Sequence, residues 1–171
     1  MTPEQKENFL KFAHPFIQAA KNTFKTMVQT EITFHSPTIK KGSFGSGDIT
    51  AIIGMNGELT KSSTPKQFEG VLALGFKEDV YIKIASKMLM EEYKVWCEDI
   101  ADTGAELCNI ILGQSKAELA KLGLKLALTT PTTIRGKDLD MRPPNGSIIV
   151  ETKVQCEMGE FSMDICYQDF S

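Results

Sequence analysis

The stretch from Glu98 to Gly123 constrains the fold more than any other part of the chain, because it is the longest run with clean helical periodicity. At about 100° per residue, Ile100, Gly104, Leu107, Cys108, Ile111, Ser115, Leu119 and Leu122 gather on one stripe. The small residues in that stripe allow close approach to whatever lies beneath, so it is expected to face the core. Asp102, Glu106, Asn109 and Gly113 fall on the opposite side, where carboxylates and a carboxamide one turn apart look outward together. The spacing predicts a single amphipathic helix that ends at Gly123.

The rest of the chain arranges itself around this helix. Thr2 as a cap and Pro3 at the first helical position open a long helix over 3–29, with Phe9, Phe12, Phe16, Ala20, Phe24 and Val28 at helical spacing and a kink expected near Pro15. From Glu31 the period changes to two. Ile32, Phe34 and Ile39, broken by Pro37, form one expected strand, and Ile49, Ala51, Ile53 and Met55 a second. Gly42–Gly47 has no lysine and no following helix, so it reads as a flexible hairpin connection rather than a phosphate-binding loop. Asn56-Gly57 and the polar run Thr60–Gln67 form the next turn, and 68–76 is a third strand. A short helix near 79–92 follows, and Trp96 in the link after it is expected to anchor in the core. Three strands close the chain, over 124–134, 147–157 and 160–170, the last pair joined tightly at Met158-Gly159. Arg135–Gly146 reads as a solvated loop. The order predicts an α+β domain covering residues 1–171. It would have two pseudo-symmetric halves, with the long helices packed on one face of a largely antiparallel six-stranded sheet.

Composition narrows the function. A net charge of −3 gives no footprint for nucleic acid or an anionic membrane. Cys97, Cys108, Cys156 and Cys166 show no Cys-x-x-Cys pair and read as free, packed thiols of a reducing cytoplasm. The first seven residues lack the apolar core of a signal peptide, and no apolar run approaches the length of a membrane span. His14 and His35 have no nucleophile or acid partner close in sequence, and no His/carboxylate cluster has metal-ligand spacing. A protein partner or a small ligand is what remains.

Glu106-x-x-Asn109 alone is a weak motif, but Asp102 stands four residues before it and Pro131 follows it. This Asp-x-x-x-Glu-x-x-Asn pattern with a downstream proline resembles the signature of the CheC/CheX/FliY phosphatases of bacterial chemotaxis. Phe76–Leu89 is similar to the family's shorter helix, and the resemblance covers essentially the whole chain. Pro131 is separated from Asn109 by residues 110–130, one fewer than the family spacing. The first long helix carries Gln18 to Asn22 and no Glu-x-x-Asn, so the resemblance points to the single-site CheX branch. It implies hydrolysis of the aspartyl phosphate of a phosphorylated CheY-like response regulator in the cytoplasm. Glu106 and Asn109 would be catalytic, and Asp102, Glu106 and Gly113 would meet the partner. It further implies no cofactor of the chain's own, Mg²⁺ bound by the partner, and a homodimer. The same face would also suit a non-catalytic adaptor for a response regulator or a flagellar switch component.

Overall fold

The computed structural model describes residues 2–60, 63–64 and 66–168. Residues 61, 62 and 65 of the expected turn, the tail of the expected last strand (169–170) and the terminal residues 1 and 171 lie outside that description.

Helix α1 spans Pro3–Thr23. The Thr2 hydroxyl accepts from the Gln5 amide at 3.2 Å and the Gln5 side chain accepts from the Thr2 amide at 2.9 Å, a reciprocal cap that satisfies two otherwise orphaned donors. The helix continues through Pro15 and widens into a π turn at Phe24–Val28, which closes at Gln29 with φ 56°. The phenylalanines at helical spacing are buried as expected, with Phe24 stacked on Phe161 at 5.0 Å and Phe12 against Tyr167 at 5.0 Å.

The strands are β1 (Thr33–Phe34), β2 (Thr38–Lys40), β3 (Ile49–Leu59), β4 (Lys66–Phe76), β5 (Leu124–Leu128), β6 (Thr132–Arg135), β7 (Ser147–Cys156) and β8 (Gly159–Gln168). They form one antiparallel sheet in the order β1, β7, β8, β4, β3, β5, with β2 also on β7 and β6 also on β3. The sheet is therefore six positions wide, as the sequence predicts, but each edge position is filled by two short strands. Pro37 and Pro131 stand at the two breaks, where a residue without an N–H cannot continue the ladder. The halves are intertwined. The split strand of each half pairs with the long hairpin of the other, and β4 meets β8 at the centre. This agrees with the predicted α+β class and its pseudo-symmetry.

One sheet face carries Ile49, Ala51, Ile53 and Met55 of β3 and Leu72, Leu74 and Phe76 of β4, all buried beneath the helices. Helix α2 (Glu78–Leu89) and helix α3 (Thr103–Lys121) lie there with α1, and α1 packs along α3. Asp48 caps α2 from outside the helix, its Oδ2 accepting from the Glu78 amide at 2.9 Å. That bond holds the Asp48 carboxyl below its usual range. Among the described residues no helix is long and apolar enough to cross a membrane.

Gly42–Gly47 is not a hairpin turn. It leads from β2, on β7, to β3 on the far side of β4, and so crosses the sheet's second face. The reason is Phe44, buried with Ala73, Ile149 and Cys166 in a second apolar cluster. The loop after β6 returns over the same face, and the two are laced together. The Phe44 amide donates to the Met141 carbonyl at 2.8 Å, and the Ser43 hydroxyl to the Leu139 carbonyl at 2.9 Å. Arg135–Gly146 is thus a solvated strap tied to the sheet by these bonds and by the half-buried Met141, with Lys137, Asp138, Asp140 and Arg142 exposed.

Candidate functional site

The expected helix starts later than its periodicity suggests. Glu98–Ile100 is a 3₁₀ turn, and α3 begins at Thr103 with Asp102 as its cap residue. At φ −90° and ψ 1° Asp102 continues the turn instead of adopting the extended conformation from which a cap side chain reaches the first amides, and its carboxylate makes no capping bond. Two hydroxyls from other elements replace it. Tyr81 Oη on α2 accepts from the Gly104 amide at 2.9 Å, and Thr133 Oγ1 on β6 accepts from the Ala105 amide at 2.9 Å. Tyr81 Oη also lies 2.9 Å from the Ile100 carbonyl and 3.0 Å from that of Ala101. Burial pushes its phenol above the ordinary value, so it keeps the proton it donates.

From there the helix follows the predicted stripe. Ile100, Gly104, Leu107, Cys108, Ile111, Ser115 and Leu119 are all buried, while Leu122 at 43% exposure is the one departure. A Cβ on Gly104 would stand 2.8 Å from the Ala51 Cβ, so this end of α3 lies hard against β3. Gly123 at φ 92° ends the helix where expected. Burial raises the Cys108 thiol and pushes that of Cys166 up to about 12, which keeps both protonated and unreactive.

The other side of α3 is open. Asp102, Glu106, Asn109 and Gly113 are all exposed, and a Cβ on Gly113 would meet nothing within 4 Å. Asp102 and Glu106 stand at the helix N-terminus, where the helix dipole favours negative charge. The result is an acidic end followed one turn later by an uncharged carboxamide, on a helix whose back is fixed to the sheet. Such a face can offer an ion pair to a cation and, beside it, a group that both donates to and accepts from a water molecule. Pro131 is half-buried in the strand break between β5 and β6 and is not a residue of α3.

Where α1 runs beside α3, a groove of about 360 Å³ is lined by His14, Gln18, Asn22, Gln114 and Glu118. Asn22 Nδ2 donates to Gln114 Oε1 at 3.1 Å across it. Among the described residues no three His, Cys, Asp or Glu side chains gather as a metal-holding group.

Tyr81 and Thr133 are the residues that reading the sequence missed. A signal existed for Tyr81, which stands in the apolar face of α2, since a buried tyrosine needs a partner for its hydroxyl. Trp96 packs on the core beside it, ring centroids 5.6 Å apart, and carries the Arg135 guanidinium at 4.9 Å from its ring. Arg135 in turn donates from Nε and Nη2 to Glu78 Oε1 at 2.9 and 2.6 Å.

The family model for the chemotaxis phosphatase CheX matches residues 49–155. No curated protein matches the chain. Among solved structures, a CheC-like superfamily protein from Shewanella sp. PV-4 is similar at 26% identity and a TM-score of 0.78, over 93% of this chain and 98% of that one. The chemotaxis protein CheX from Vibrio vulnificus is similar at 26% identity and a TM-score of 0.77, over 92% and 99%. A chain of the CheX-CheY-BeF3-Mg²⁺ complex from Borrelia burgdorferi shares the fold at 23% identity and a TM-score of 0.71, over 92% and 98%.

Proposed function

Because the chain belongs to the chemotaxis phosphatase CheX family, we propose that it hydrolyses the aspartyl phosphate of a CheY-like response regulator in the cytoplasm. One observation carries this reading. Glu106 and Asn109 stand exposed and adjacent on a helix whose opposite face is immobilised by the core, so both can enter a partner's site without rearrangement. An acyl phosphate is intrinsically labile, and in this reading the Mg²⁺ that neutralises it is held by the regulator; the Borrelia complex contains CheX, CheY, BeF3 and Mg²⁺ together. This chain then has only to place water in line with the phosphorus. Asn109 accepts from and donates to that water while staying uncharged beside the phosphoryl group. Glu106, one turn nearer the helix start, pairs with a lysine at the regulator's active site, which fixes register and loosens that lysine's hold on the phosphate. Asp102 and Gly113 line the same contact.

Phosphate release from phosphorylated regulator tests the two roles together. Asn109→Ala is expected to lower kcat by about a hundredfold with little change in affinity, as loss of one preorganised polar group does. Glu106→Ala is expected to weaken affinity as well as rate, by an amount that shrinks at high salt. A folded Asn109→Ala protein with near-full turnover would turn the reading into that of a docking adaptor.

We also propose a homodimer joined through the sheet, with one site per subunit. β5 and β6 leave one edge of the sheet without a further strand, and such an edge tends to be covered or paired. Light scattering at micromolar concentration should give twice the chain mass of 18.9 kDa, and a monomer mass would remove the dimer.

A further inference from the structure

The geometry points to Tyr81 and Thr133 as positioning residues for Glu106 and Asp102, acting through the backbone of α3; the inference rests on Glu106 being the docking residue. The two hydroxyls meet side by side where the first turn of the helix comes down on β3. Tyr81 Oη bridges what precedes the helix and what begins it, reaching the Ile100 and Ala101 carbonyls and the Gly104 amide within 2.9–3.0 Å. Thr133 Oγ1 takes the next amide, that of Ala105, at 2.9 Å. The following amide, that of Glu106, closes on the Asp102 carbonyl at 3.0 Å and is the first bond of the regular ladder. The register of Glu106 is thus set by a turn that is itself pinned by two remote side chains.

Those side chains cannot easily give way. Tyr81 is 1% exposed and wedged between Phe76 and Trp96, with ring centroids at 5.5 and 5.6 Å. Thr133 is fixed by the pairing of β6 with β3, opposite Ala51. The arrangement has a second effect. A helix start usually occupies the side chain of its cap residue, whereas here that duty is taken elsewhere and the Asp102 carboxylate remains exposed to solvent beside Glu106. Removing either hydroxyl leaves amides at the helix start without partners, and the first turn loosens while the core stripe from Leu107 onward stays packed.

The test uses the full chain with Tyr81→Phe, Thr133→Val and Thr133→Ser, assayed by phosphate release from a phosphorylated CheY-like regulator well below each thermal midpoint. A purely structural loss shrinks the active fraction, so it lowers apparent kcat and leaves KM unchanged. A loosened docking residue instead raises KM, by about fivefold for the loss of one hydrogen bond's ordering, with kcat changed less. Thr133→Ser, which keeps the hydroxyl, should restore the wild-type KM. Amide exchange at Gly104, Ala105 and Glu106 should accelerate in Tyr81→Phe and Thr133→Val relative to Ile111 and Leu112. Unchanged KM in Thr133→Val overturns the inference even where Tyr81→Phe fails to fold. Asn109→Ala in the same assay separates the two readings: if it retains full turnover, the phosphatase assignment has failed on its own. The exchange data then decide the positioning, which unaltered rates at 104–106 would overturn.

Discussion

Gly113 and Asn109 share the outward face of α3, and the glycine is the residue whose presence there most needs a reason. A glycine in a helix interior costs about 0.5–1 kcal/mol relative to alanine, because it has more backbone freedom to lose. Nothing in the fold itself requires one at 113, since a Cβ there would meet nothing within 4 Å. The proposed docking role of this face supplies a reason that can be tested. Gly113→Ala should raise the thermal midpoint by a stabilisation of that size. Gly113→Phe should leave the fold intact and weaken regulator affinity by about tenfold or more, since a bulky side chain in a docking face acts as a built-in clash. Wild-type affinity in a titration of Gly113→Phe would take Gly113 off the docking face.

Gly104 gives the opposite expectation within the same element, and the contrast shows what anchors α3. Its Cβ would stand 2.8 Å from the Ala51 Cβ and 3.1 Å from Tyr81 Cε2, against a strand and a ring that are both held. Gly104→Ala should cost about 1–3 kcal/mol in denaturant unfolding by lifting the helix start off β3; a neutral or stabilising outcome would mean that the start can shift freely. The wheel arithmetic that placed Gly104 inward and Glu106 and Asn109 outward needed only local periodicity, so this much of the site was legible in the sequence. The true start of the helix was not. Its caps come from residues 23 and 28 positions away, and Glu98-Asp99-Ile100 carries the same helical period whether it winds as 3₁₀ or α. The crossover at Gly42–Gly47 was hidden for the same reason. Local glycines announce a turn, but only the pairing of β2 with β7, more than a hundred residues on, shows that the chain must cross the sheet. The six strand positions were legible from alternation, and Pro37 and Pro131 account for the eight segments that fill them.

At the scale of the whole molecule, two intertwined halves are tied on the sheet's second face by a buried carboxyl group. Asp164 on β8 is fully inaccessible. Its Oδ2 accepts from the Gly45 amide at 2.7 Å and lies 3.4 Å from Lys40 Nζ, which also donates to the Gly45 carbonyl at 2.7 Å and lies 3.3 Å from Glu151. Asp164 Oδ1 has no hydrogen-bond partner among the described residues. Burial raises this carboxyl above its ordinary 3.8, opposed first by Lys40 and by the Gly45 amide. The sign of the consequence follows from proton uptake. A carboxyl held above 3.8 binds its proton more readily in the folded state than in the unfolded one. Its contribution to stability is therefore fully present below 3.8 and is lost as pH rises through the raised value. Asp48 works the other way, its contribution being lost as pH falls through its lowered value. Comparing variants isolates Asp164 from this background. Asp164→Asn keeps an oxygen for the Gly45 amide and cannot ionise. Its thermal midpoint should therefore rise relative to wild type as pH increases from below 3.8 toward neutrality, by more than the same series gives for Glu160→Gln at the exposed start of β8. Glu151, Lys40 and, through Glu151, Lys153 face the same cluster, so the series should be run at high and low salt to separate their field from the burial of Asp164 itself. A difference between Asp164→Asn and wild type that is flat with pH, or that falls as pH rises, would mean that Lys40 offsets the burial completely and that the straps are held by a fully ionised pair.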